Sequence, residues 1–113
     1  GRIRRIQMQM AQKRMMSSVP DADVIITNPT HYSVAMKYDN KVSSAPIIVA
    51  KGIDFLAIKI KDIAKENKIP IIENPALARA LYDQVDIDVE IPNEFYKAIA
   101  EIFSYVYELK KKR

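Results

Sequence analysis

Asp23-Val24-Ile25-Ile26-Thr27-Asn28-Pro29-Thr30-His31-Tyr32-Ser33-Val34-Ala35-Met36-Lys37-Tyr38 is the stretch that decides the fold. Two apolar runs flank a polar break at Asn28-Pro29-Thr30-His31. Val24, Ile25 and Ile26 are β-branched, which suits a pleated and packed strand. After the break, Val34, Met36 and Tyr38 alternate with Ser33, Ala35 and Lys37, the period of a half-buried strand. Asn-Pro between two such runs signals a turn. The stretch therefore predicts an antiparallel hairpin closed by a short loop.

The same loop carries chemistry. Asparagine commonly loses its amide when the next backbone nitrogen attacks the side-chain carbonyl, but proline has no N–H. The opposite attack remains open: the Asn28 side-chain nitrogen onto Asn28's own backbone carbonyl, closing a five-membered succinimide and expelling the Pro29 nitrogen. A well-oriented intramolecular attack is worth roughly 7–11 kcal/mol, and a tight loop between paired strands is one way to hold the orientation and store strain. His31, the only histidine in the chain, is placed to take or give a proton near neutral pH. Thr30 is placed to donate to the developing oxyanion or to orient the Asn28 amide. The plain alternative is a turn and nothing more, with His31 an exposed polar residue in it.

Working outward, Asp39-Asn40-Lys41 predicts a second turn, and Ile47-Ile48-Val49-Ala50 a short strand that Gly52 breaks. Asp54 suits the cap of a following helix. In 53–64, Ile53, Leu56, Ala57, Ile60, Ile63 and Ala64 trace one helical face for core packing. Pro70 opens a fourth strand, Ile71-Ile72; strand, helix, strand in this order predicts a parallel pair with a right-handed crossover. Asn74-Pro75 is a second Asn-Pro, here with Asn at the N-cap and Pro at the first helical position. Leu77, Ala80 and Leu81 form that helix's apolar face, and its amide is expected to face forward onto free N–H groups, so no cleavage is expected there. Residues 85–91 alternate strictly and predict an extended segment with a wet acidic face. Pro92-Asn93-Glu94 starts a last helix lined by Phe95, Ile99, Ile102, Phe103 and Val106. The fold expected is α/β: a small mixed four-stranded sheet with cover on both faces, packed by about four helices, with a protruding basic N-terminal helix.

With 113 residues and 49% hydrophobic composition, the chain suffices for one small core. It has no cysteine, so no disulfide or thiolate chemistry. No apolar run approaches the roughly 18 residues of a spanning helix. It begins with Gly1, which reads as a piece of something longer. The formal net charge is +4 with a pI near 9.3, and the excess sits at the ends. Arg2, Arg4, Arg5, Lys13 and Arg14 meet no acid before residue 15, and the chain closes on Lys110-Lys111-Lys112-Arg113. Residues 2–16 contain no Gly or Pro and read as a basic amphipathic helix, with Met15 and Met16 placed to pack on the domain. Three uses compete: lying near an anionic membrane, contacting nucleic-acid phosphates, or connecting. Ser17-Ser18 and Pro20-Asp21 read as linker. The division expected is a basic helix with its linker at 1–18 and a folded domain at 19–113. Two glycines and one histidine, with no metal-ligand cluster and no phosphate-cradling loop, leave most turnover enzymes without parts. No cofactor, metal or small-molecule substrate is expected.

The run Ile26-Thr27-Asn28-Pro29-Thr30-His31-Tyr32, then Val34-Ala35 and Lys37-Tyr38-Asp39, resembles the self-cleaving segment of the switch proteins of type III protein export, flagellar and injectisome alike. The resemblance continues through Ala50-Lys51-Gly52-Ile53-Asp54, Ile69-Pro70-Ile71-Ile72-Glu73-Asn74, Leu77-Ala78-Arg79-Ala80-Leu81-Tyr82, and Glu90-Ile91-Pro92 to Tyr105-Val106-Tyr107. It departs at Ser33, where alanine is common, and at Asp88, where glycine is common. The resemblance implies one cut between Asn28 and Pro29 with both pieces staying associated: a single-turnover event, not a turnover enzyme. It implies a switch of export from rod and hook cargo to filament-type cargo. It implies a place at the cytoplasmic face of the bacterial inner membrane, with residues 1–18 a connector descending from a membrane domain outside this chain. The partners implied are export-apparatus components, exported substrates with their chaperones, and a hook- or needle-length control protein, without nucleic acid. Leu77–Tyr82 and the short C-terminal end favour the flagellar branch. Two rivals stand beside it: a nucleic-acid-binding module using the basic helix, and a protein-interaction domain that does not cleave.

Overall fold

The computed structural model describes residues 11–29 and 31–111. Helical backbone over residues 11–18 (α1) passes into a 3-10 turn at Val19–Asp21. There follow β1 (Val24–Asn28), β2 (Tyr32–Lys37), β3 (Ile47–Ile53), α2 (Phe55–Glu66), β4 (Ile71–Glu73), α3 (Pro75–Gln84), a second 3-10 turn at Asn93–Phe95, and α4 (Tyr96–Lys111). Among the described residues the architecture is α/β, a mixed four-stranded sheet covered by four helices. The strand order is β3-β2-β1-β4. The hairpin forms as predicted: β1 and β2 pair antiparallel from Val24↔Met36 to Asn28↔Tyr32.

Alternate β1 residues separate two cores. Val24 and Ile26 pack with Val34, Met36 and Ile48 under α3 and α4. Ile25 packs on the other face with Ala35, Val49, Ala50 and the α2 residues Ile60 and Ala64. Val49 and Ala50 share that face because the β2–β3 register slips by one residue between Ala35 and Met36, the signature of a bulge. The half-buried reading of β2 is corrected here: Ser33, Val34, Ala35 and Met36 are all fully buried. Small Ser33 and Ala35 sit under α2, so polarity alternation did not mark a wet face.

Four further readings change. Val19 is fully buried, so the stretch read as linker is the end of α1 and a 3-10 turn anchored by Val19; Met16 lies beside Val19 in the same core, as expected. Residues 1–10, the greater part of the predicted basic helix, lie outside the described residues. Gly52 does not end β3, which runs on to Ile53. A Cβ on Gly52 would stand 2.6 Å from the Leu56 Cβ, so glycine is needed there for close approach of strand and helix. β4 runs parallel to β1, through Ile25↔Ile71, Ile26↔Ile72 and Thr27↔Glu73, and lies at the opposite sheet edge from β3. The 85–91 segment follows the edge of β3 through Ile91 N–H to Pro46 O at 3.0 Å and Asp88 N–H to Ile48 O at 2.7 Å, but it is no strand. Asp88 turns the chain with φ 67°, a conformation Asp tolerates better than most residues. Strict alternation therefore failed there; Val85 and Ile91 are buried while Val89 is exposed.

Filling the contact over Gly52 is the direct check of this packing. Gly52→Ala is expected to cost about 1–3 kcal/mol, as overpacking does, read as a lower urea midpoint; an equal or higher midpoint would mean the strand–helix approach is slack.

Candidate functional site

Asn28 is the last residue of β1 and is half-buried. Its carbonyl accepts the His31 N–H at 3.0 Å, closing a four-residue turn with Asn first and Pro second, the positions those residues favour. Thr30 lies outside the described residues. His31 is exposed, and its Nδ1 stands 3.6 Å from the Asp54 Oδ1. Its carbonyl accepts the Asp54 N–H at 2.9 Å, so the β2–β3 ladder extends past Tyr32↔Ile53 to hold the end of the turn.

Beneath the turn the strands are tied by hydroxyls. Thr27 Oγ1 donates to the Tyr32 carbonyl at 2.8 Å, and Ser33 Oγ donates to the Ala57 carbonyl at 2.9 Å. Each hydroxyl has one proton, so the 3.3 Å approach of Thr27 Oγ1 to Ser33 Oγ leaves neither a second one to give. Both residues are buried, where losing such a partner leaves an unsatisfied group. Ser33 thus pins the hairpin to α2. Downstream, Tyr32 packs against Tyr82 at 5.3 Å between ring centroids. Lys51 Nζ donates to the carbonyls of Tyr82 at 2.8 Å and Val85 at 3.0 Å, a cation at the carbonyl end of α3 where the helix dipole favours it.

Asn74-Pro75 leaves the sheet beside Asn28-Pro29, since the register sets Thr27 against Glu73. Its geometry is the predicted cap. Asn74 Oδ1 accepts the Leu77 N–H at 3.3 Å, and the Asn74 carbonyl accepts the Ala78 N–H at 2.9 Å.

Asp54 is the residue that sequence reasoning misassigned. It holds the N-cap position of α2 but makes no side-chain cap bond, and its backbone takes φ 49°, ψ −112°. Strain of that kind costs on the order of 1–3 kcal/mol in a residue other than glycine. Nothing in the sequence pairs it with His31, 23 positions away. No three Asp, Glu or His residues come together to hold a metal among the described residues. An apolar cleft lined by Tyr38, Ala45, Pro46, Ile99, Phe103 and Tyr107 shares no residue with the turn.

A family described as the FlhB HrpN YscU SpaS family matches residues 1–106. The chain belongs to this family. It is 59% identical over 112 residues to the flagellar biosynthetic protein FlhB of Bacillus subtilis, covering 99% of this chain and 31% of that protein. It is 50% identical over 113 residues to the FlhB of Salmonella typhimurium, covering all of this chain and 30% of that one. It thus spans about a third of the length of these relatives. The fold matches the crystal structure of the cytoplasmic domain of FlhB from Shewanella putrefaciens with a TM-score of 0.86 and 46% identity, covering 89% of this chain and 78% of that one. It also matches an EscU C-terminal domain solved with an asparagine mutated to alanine, with a TM-score of 0.78 and 26% identity, covering 81% of this chain and 92% of that one. The chain carries the sequence Asn28-Pro29-Thr30-His31 within the matched residues.

The structural use of Asn74 has its own check. Asn74→Ala is expected to lower stability by about 0.5–2 kcal/mol, the usual worth of a helix cap, measured by denaturant unfolding; an unchanged midpoint would make the cap energetically silent.

Proposed function

We propose that this chain is the cytoplasmic part of a type III export component, of the flagellar branch, that cuts its own backbone once between Asn28 and Pro29. The observation that carries the reading is the His31 N–H held 3.0 Å from the Asn28 carbonyl oxygen. That carbonyl carbon is the one attacked. A donor already in place polarises it and then faces the oxyanion as charge develops, an arrangement whose loss typically costs 10²–10³ in rate. Proline at the next position closes the competing attack.

The step balances within the chain. The Asn28 carboxamide nitrogen bonds to the Asn28 carbonyl carbon and loses a proton. The carbon–nitrogen bond to Pro29 breaks, its electron pair leaves on the proline nitrogen, and that nitrogen gains a proton. The products are residues 1–28 ending in a succinimide and residues 29–113 beginning with the secondary amine of Pro29. Thr30 orients the amide or donates to the oxyanion, and His31 carries the proton. This is one event per molecule, with no cofactor.

The two pieces are expected to stay together. Residues 1–28 supply β1, which is paired on both edges, and Val24, Ile25 and Ile26 are each fully buried. Each such side chain is worth about 1.5–3 kcal/mol on burial. What the cut releases is the turn, now tethered at one end. In the machine this release switches export from rod and hook cargo to filament-type cargo. The site of action is the cytoplasmic face of the inner membrane, with export-apparatus components, cargo and chaperones, and a length-control protein as partners. The flagellar branch is supported by 50–59% identity to FlhB proteins against 26% to EscU. That EscU domains were solved with an asparagine changed to alanine or aspartate, and one with a proline changed to alanine, fits a site built on these two residue types.

Denaturing electrophoresis tests the reading. The folded chain is expected to yield fragments 1–28 and 29–113, and a chain still intact after long incubation overturns self-cleavage. Asn28→Ala abolishes the cut, Pro29→Ala slows or redirects it by restoring an N–H, and His31→Ala has the smaller effect. The Asn74-Pro75 bond stays whole; a fragment ending at Asn74 would contradict the distinction between the two sites.

A further inference from the structure

Asp54 sits where an aspartate ordinarily caps a helix, yet its carboxylate accepts nothing from the first turn of α2. It gives up that bond and holds a left-handed backbone, φ 49°, in a place where two of its groups meet His31. The N–H donates to the His31 carbonyl at 2.9 Å, and Oδ1 stands 3.6 Å from His31 Nδ1. The two side chains are 65% and 72% exposed, and a pair so open to water contributes little to stability. Strain held at such a pair suits a task other than folding.

We propose that Asp54 is a positioning residue for the self-cleavage of the Asn28-Pro29 bond, acting through His31; the inference rests on the self-cleavage reading. Its backbone N–H fixes the end of the turn, which keeps the His31 N–H aimed at the Asn28 carbonyl. Its carboxylate faces Nδ1 and, as an acceptor, favours the ring proton on that nitrogen. That leaves Nε2 as the basic nitrogen for the carboxamide proton. A carboxylate behind a histidine sets tautomer and ring direction in this way without itself taking the proton. The 3.6 Å separation is long for a hydrogen bond, as such contacts often are before the reaction tightens them.

The test is a time course of the newly translated 113-residue chain, chased and resolved by denaturing electrophoresis. Asn tolerates unusual turn backbones nearly as Asp does, so Asp54→Asn removes the charge and leaves the corner folded, confirmed by an unchanged unfolding midpoint. It is expected to slow the cut by about tenfold, within the range of coupling between contacting residues, while Asp54→Glu stays within about threefold of the wild type. A second readout does not depend on the rate. The chain has one histidine, so the imidazole nitrogen signals of uncleaved Asn28→Ala protein report His31 alone. They are expected to show a proton on Nδ1, and the Asn28→Ala/Asp54→Asn protein is expected to lose that preference. Wild-type speed in Asp54→Asn, or unchanged imidazole signals, overturns the role of Asp54 while self-cleavage stands. A wild-type chain that never cuts overturns the self-cleavage reading itself, and with it this one.

Discussion

β1 is held on every side, and the rest of the structure depends on that. Its backbone pairs antiparallel with β2 and parallel with β4. Its side chains alternate between the core under α3 and α4 and the core under α1 and α2. A central strand with both faces covered has no edge at which to slip, because moving it by one residue would swap its two buried sets. The turn at its end is therefore set from outside: five registered pairs fix Asn28 opposite Tyr32, and Thr27 and Ser33 lock the strands with buried hydroxyls. A loop built in this way keeps one geometry for its backbone carbonyls. The Asn28–Pro29 link itself lies beyond the last β1–β2 pair, so a break there would take no pairing from the sheet.

The two Asn-Pro dipeptides show how little the dipeptide itself decides. They leave adjacent parallel strands at the same end of the sheet. After Pro75 the chain coils, and free N–H groups of the first helical turn collect both oxygens of Asn74: Leu77 N–H takes the side chain and Ala78 N–H the carbonyl. Asn74 is thereby spent on capping. After Pro29 the chain turns back on itself, and among the described residues it is the His31 N–H that reaches the Asn28 carbonyl. The path taken by the chain beyond each proline separates a structural asparagine from a candidate nucleophile.

The corner between β3 and α2 supports the turn from the side. Gly52 lets helix and strand approach to a distance a Cβ would not allow, which carries the chain to Asp54 at the height of His31. The Ser33 bond to Ala57 joins the same helix to the hairpin. Turn, corner and helix thus form one unit around the Asn28–Pro29 bond, and family membership over residues 1–106 covers all of it.

Local pattern was enough for much of this. β-branched runs around a turn dipeptide specified the hairpin; 3.6-residue spacing specified the inner faces of α2, α3 and α4, except that Ile53, read onto the α2 face, ends β3 and is exposed; Asn-Pro ahead of Leu77 and Leu81 specified a capped helix. Each of these is decided by neighbours within a few positions, so each is written in the order of residues. Other features needed the folded molecule. That Ser33 and Ala35 are as buried as Val34 and Met36 follows from α2 lying over them. That Val19 enters the core follows from where the chain ahead of β1 comes to rest, that β4 joins β1 from the order of the sheet, and that 85–91 bends at Asp88 from its path along the edge of β3. Asp54 is the sharpest case: by sequence it is a helix cap, and only the pairing of β2 with β3 carries it to His31. Periodicity records which way a side chain points along its own element; which residue it meets is set by contacts between elements far apart in the chain, and those exist only once the sheet has assembled.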